Sequence, residues 1–105
     1  MQTIIQVFAT GPKSLRDRVV NDPKLEEFGL VLSEHKRQGR PHGWAKLHMN
    51  GSHGAINIEW HAASQTLICR VVTRGGKPHD IAAAFLRFLL ARLSKQIASI
   101  HVLPQ

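Results

Sequence analysis

The chain has one cysteine, Cys69, in 105 residues. A single thiol cannot form an internal disulfide, which is the usage expected of a reducing compartment. Long hydrophobic runs are also lacking. The most apolar stretch, 81–93, contains Arg87 and Arg92 and falls well short of the ~20 residues that cross a bilayer. The first residues, Met1-Gln2-Thr3-Ile4-Ile5, have no basic lead into an apolar core of the kind a signal peptide shows. No membrane association and a cytoplasmic location are the resulting expectations. Repeats, low-complexity tracts and linker-like segments are absent too, so residues 1–105 are read as one domain.

Acidic residues are scarce. Seven Asp and Glu face fourteen Lys and Arg, a formal charge of +7, and seven histidines add more in acid. That excess favours polyanions such as RNA, DNA or acidic proteins. Apolar residues at 43% suit a packed core and speak against disorder.

The hydrophobic pattern changes period along the chain. Residues 3–9 alternate as a strand, and Gly11-Pro12 breaks it. Ser14 stands where an N-cap belongs, followed by an acid at Asp17. Asp22-Pro23 reads as a fresh cap, leading to a short turn that stops at Gly29. Four strands follow at 30–36, 44–49, 55–61 and 66–73, with connections at 37–43, 50–54 and 62–65. A long helix at 79–95 and a last strand at 97–103 complete the set. The predicted class is α+β: a six-stranded, mostly antiparallel sheet with a central four-strand meander and helices on one face. The order β-α-β-β-β-β-α-β resembles a ferredoxin-like plan with an added hairpin, which implies strands arranged 6-1-5-4-3-2.

Register can be tested because a one-residue slip turns every side chain over. Pairing Leu32 with Leu47, Leu47 with Ile58 and Ile58 with Cys69 gathers Leu30, Met49, Ile56, Val71 and Trp60 on the same face. Glu34 alone breaks that apolar set. The other face is mixed, with His48, Lys46, Glu59, Arg70 and a tryptophan, Trp44, expected between His35 and His61. Glu59 is expected to pair with Lys46 across the strands.

Several chemistries lose support at this point. The histidines (35, 42, 48, 53, 61, 79 and 101) lack the i, i+4 spacing and the CxxC partner of a zinc site, so no metal is expected; His42 and His53 are its only loose candidates. Cys69 falls in the core row and reads as packing. Ser14 lies in no nucleophile elbow. No pair of carboxylates is placed for acid–base work. No catalytic residue and no cofactor are assigned, and the balance leans away from an enzyme.

Two surfaces remain. The first is a nucleic-acid contact built from Arg37, Arg40, Trp44, Lys46 and Arg70, with Trp44 as a stacking platform among cations. The second is the strand-to-helix junction at Arg74, Gly75, Gly76, Lys77 and His79, where glycines and a helix start suit a phosphate or carboxylate. The junction at Gly11-Pro12-Lys13-Ser14 looks alike but is expected at the other end of the sheet. The leading expectation is a non-enzymatic module that binds RNA or DNA. The alternatives are a small-molecule anion-binding protein or enzyme using residues 74–80, and a homo-oligomeric adaptor. The homodimer surfaces considered are the apolar helix 79–95 and the outer sheet face, where Val31, Ile68 and Val72 point outward.

Overall fold

A computed structural model describes residues 2–51, 53–73 and 78–104, the side chain of Pro78 excepted. The alternation of the first residues produces strand β1, Gln2–Ala9, whose Ile5 and Val7 turn inward while Gln2, Ile4 and Gln6 face the other way. Ser14 then caps helix α1, Leu15–Val20, its Oγ accepting from the Asp17 N–H at 3.2 Å. A 3-10 turn at Leu25–Phe28 ends on Gly29, whose φ of 80° is the left-handed conformation that a side chain would resist. The expected cap is corrected: the turn begins later, with Lys24 at its N-cap and no side-chain cap bond, and Asp22 instead takes the Lys24 N–H at 2.8 Å in the residues leading into it.

The meander comprises β2 (Leu30–Glu34), β3 (Trp44–Met49), β4 (Ala55–His61) and β5 (Thr66–Val72). Helix α2 (Pro78–Arg92) and strand β6 (Ile97–Pro104) follow. All six strands form one antiparallel sheet in the order β2-β3-β4-β5-β1-β6, the order predicted. The class is α+β.

The register holds in two of three turns. Leu32 faces Leu47 and Ile58 faces Cys69, but Leu47 lies opposite Ile56 rather than Ile58. A two-residue shift leaves every side chain on its expected face, so the apolar pattern is satisfied either way. The choice is made at the end of the hairpin. There the Trp60 N–H donates to the Gly43 carbonyl at 2.9 Å, and a Cβ on Gly43 would sit 2.7 Å from the Trp60 oxygen. Only glycine admits that approach. A bulge between Leu32 and Glu34 corrects the second expectation. It turns Glu34 out to face Lys46, which removes the one acid from the apolar set.

The core joins both helices to the sheet. Leu15 and Val19 of α1 and Ile81, Phe85, Phe88 and Leu89 of α2 belong to one buried cluster with Ile5, Leu47, Ile58, Leu67, Cys69 and Val71. The 3-10 turn packs on α2, with Phe28 edge-to-face against Phe88 at 5.5 Å. The far side of α2 is not buried all round: Ala83, Arg87, Leu90 and Ala91 are exposed. Burial pushes the Cys69 thiol pKa strongly upward, so it stays a protonated packing group.

Arg92 ties the C-terminal ends of the two helices together, its Nε donating to Asp22 at 3.1 Å. Desolvation works against the Asp22 charge. The Lys24 N–H and the Arg92 guanidinium outweigh it and hold the carboxyl below its ordinary 3.8. Among the described residues, no helix is long and apolar enough to cross a membrane.

Two predictions follow from this packing. Phe88→Ala should cost about 3–5 kcal/mol in denaturant unfolding, whereas Leu90→Ala should stay within about 0.5. Because the folded pKa of Asp22 is depressed, its charge stabilises the fold above about 3.8 and that contribution is lost as pH falls through the lower folded value. Asp22→Asn should therefore flatten the acid limb of a urea-midpoint profile; superimposable limbs would show that the Arg92 contact is energetically silent.

Candidate functional site

The site grows from the connection between β2 and β3. Arg16, in the first turn of α1, sends its side chain to the two ends of that connection. Its Nε and Nη2 donate to the Trp44 carbonyl at 3.1 and 3.0 Å, and Nη2 also reaches the His35 carbonyl. Asp17 accepts from Nη1 at 2.9 Å. The side chain is 12% exposed, so its charge is spent largely on these fixed acceptors. A planar five-donor group serves such a fork better than an ammonium.

The connection so anchored folds back over Trp44. The guanidinium carbons of Arg37 and Arg40 each lie 5.1 Å from the ring centroid, within cation–π range. The indole N–H donates to Asn57 Oδ1 at 3.2 Å on the next strand. Trp44 is 1% exposed, although it stands outside the main core cluster. The expected open stacking platform is thus corrected. The ring is a buried floor, and the arginines above it are the surface. Its strand neighbour is Glu59, not His61, as the two-residue shift requires.

Between Arg16 and this loop lies a cleft of ≈ 470 Å³. Arg16, Lys36, Arg37 and Arg40 line it with His35 and His42, and none of its lining residues is acidic. Two acids stand beside the lining, Asp17 on Arg16 and Glu34 on Arg37. Glu34 takes the Arg37 Nε at 2.9 Å and also pairs with Nη2, and this bond holds the Glu34 carboxyl below its ordinary range. Lys36 and Arg40 have no ion pair among the described residues.

Lys46 and Arg70 extend the basic surface. Lys46 lies opposite Asn57, and Asn57 opposite Arg70, so the two cations share a row on the outer face, about 10 Å apart across two strand spacings. Lys46 is two residues from Trp44 on the same face. The structure therefore brings Arg37, Arg40 and Trp44 into direct contact and places Lys46 and Arg70 beside them in sequence along the sheet. The expected Lys46–Glu59 pair does not form: Lys46 faces Glu34 and Asn57, and the nearest basic group to Glu59 is His61 at 3.9 Å.

Of the second predicted surface, Arg74, Gly75, Gly76 and Lys77 lie outside the described residues. His79 is exposed at the start of α2, 4.0 Å from Asp80. Gly11 to Lys13 border a separate hollow with Gln96, remote from the Arg16 cleft in its lining. Histidines remain dispersed. His48 pairs with Ser33 and lies opposite Ala55, six residues along β4 from His61, about 20 Å at strand rise. No group of three metal-ligating side chains occurs among the described residues.

Arg16 is the residue that sequence reasoning placed least well. It was visible only as a charge following Ser14, because nothing local says that a helical arginine closes a distant loop. Arg16→Lys should lower stability by about 1–2 kcal/mol, since an ammonium lacks the planar, forked donors that reach both carbonyls at once. It should also speed tryptic nicking after Lys36 and Arg37; an unchanged cleavage rate would mean that the loop holds itself.

Compared with protein-family models, with curated proteins and with solved structures, the chain matches none of them.

Proposed function

We propose that the protein binds a polyanion, RNA or DNA, on the surface that runs from the Arg16 cleft to Lys46 and Arg70. The observation that carries this reading is the acid-free lining of the cleft, four cations and two histidines around one hollow. Like charges held together are costly in isolation and become favourable when a phosphate enters. The continuation along Lys46 and Arg70 favours several successive phosphates over one small anion.

In this reading Trp44 acts from below. It spreads Arg37 and Arg40 over its ring and limits their freedom, so less entropy is lost when they engage phosphate. Contacts of this kind position a backbone and carry little base information. The reading therefore favours binding with weak sequence preference. The frame we infer for it is a ferredoxin-like plan widened by the β3–β4 hairpin, with both helices on the face opposite the basic one.

Fluorescence anisotropy with single- and double-stranded oligonucleotides at about 50 and 200 mM salt tests the proposal. Affinity should fall steeply with salt. Lys36→Ala and Arg40→Ala should each weaken binding several-fold and reduce the log–log salt slope by about 0.9 or less. Glu34→Gln should strengthen binding, because it releases Arg37 from its partner. No binding at low salt, or binding indifferent to salt and to Arg40→Ala, would sink the proposal.

A further inference from the structure

The two edges of the sheet are built differently. β2 is five residues long, interrupted by the bulge before Glu34, and followed after His35 by Lys36 and Arg37. Short length, a bulge and charge are the means by which edge strands avoid pairing with other chains. β6 is longer and carries no charge, and its one bulge, at Ala98, lies at its start and leaves Ser99 to Pro104 in unbroken register with β1. It runs eight residues, Ile97–Pro104, pairs only with β1, and leaves its other edge open among the described residues. Only the terminal Pro104 lacks an N–H. Val102 and Leu103 are 43% and 41% exposed.

Charge identifies the occupant. Residues 1–12 and 96–105 contain no Lys, Arg, Asp or Glu, although the chain carries +7. The β1–β6 end of the sheet is thus built from uncharged strands, while the basic cleft lies at the β2–β3 end. The two edges are five strand spacings apart, about 24 Å. An acidic or basic peptide would find no counter-charge on β6. A second copy of the same strand meets no like charge, and its own basic cleft is carried to the far end.

We infer that two copies of this chain pair antiparallel through β6, making one continuous sheet across a two-fold axis with a basic cleft near each outer edge. An isologous contact of this type needs only one self-complementary strand. Alternate residues of β6 direct N–H and C=O groups to the open edge, so main-chain hydrogen bonds supply the association. Near the two-fold, Ser99, Ile100 and His101 face their counterparts. By contrast, the exposed side of α2 offers Leu90 as its only exposed large apolar residue, flanked by alanines and Arg87.

Sedimentation equilibrium of the purified chain should give a dimer. The double variant Ser99→Lys/His101→Lys sets lysine against lysine for a two-fold at residue 99, 100 or 101, and should weaken association by about tenfold or more. Leu90→Lys should leave it unchanged. Circular dichroism checks that each variant is folded. Independently, single cysteines introduced at 98 to 102 should cross-link chain to chain only next to the two-fold, Cys69 being buried. A monomer at all concentrations, a dimer broken by Leu90→Lys and not by the double lysine variant, or no position of preferred cross-linking would overturn the inference. Oligonucleotide binding by a monomer would leave the cleft reading standing and remove this one.

Discussion

One guanidinium closes the functional end of the molecule. Arg16 accepts no rotation once its donors meet the carbonyls of His35 and Trp44, and those two residues bound the connection that carries Lys36, Arg37 and Arg40. Without that bridge the connection would be an eight-residue flexible loop with its charges free to separate. With it, Arg37 and Arg40 are held over a common floor, and Lys36 lines the cleft beside them. The cost of crowding like charges is offset by fixed dipoles on one side and the Glu34 carboxylate on the other.

The floor matters as much as the bridge. Trp44 projects from the polar face of the sheet, yet it is as buried as a core residue. Arginine is suited to cover it, because a flat and weakly hydrated guanidinium can lie on an indole while its edge N–H groups stay in water. Aromatic and basic residues thus cooperate with their roles inverted from those of an open stacking surface. The ring organises the charges, and the charges face solvent.

The extent to which this was legible follows from what each pattern encodes. Period-two alternation states which way a side chain points, and in the meander it assigned the apolar residues correctly, from Leu30 to Val71. It cannot distinguish registers that differ by two, so Leu47 found Ile56, and Glu59 was parted from Lys46. The missing information resided in Gly43, a residue whose lack of a side chain is legible only once Trp60 lies against it. The bulge at Ser33 was hidden for a similar reason: Glu34 announced a conflict in the pattern, and the chain resolves it with one extra residue. Burial of Trp44 depended on a loop folding back, which no strand pattern contains. The clustering of Arg37 and Arg40 was legible because they are near neighbours in sequence, whereas the contribution of Arg16 required the tertiary fold.

Cys69 stands at the middle of β5, with Ile58 on one side and Ile5 on the other, and no solvent reaches it. A lone thiol so enclosed makes the chain its own clock for opening. Alkylating reagents can reach the sulfur only when the central strands part, so the rate of modification reports how often that happens in the native protein. Because the cations of the β2–β3 connection lie elsewhere, the same thiol separates motion of that loop from rupture of the sheet beneath it.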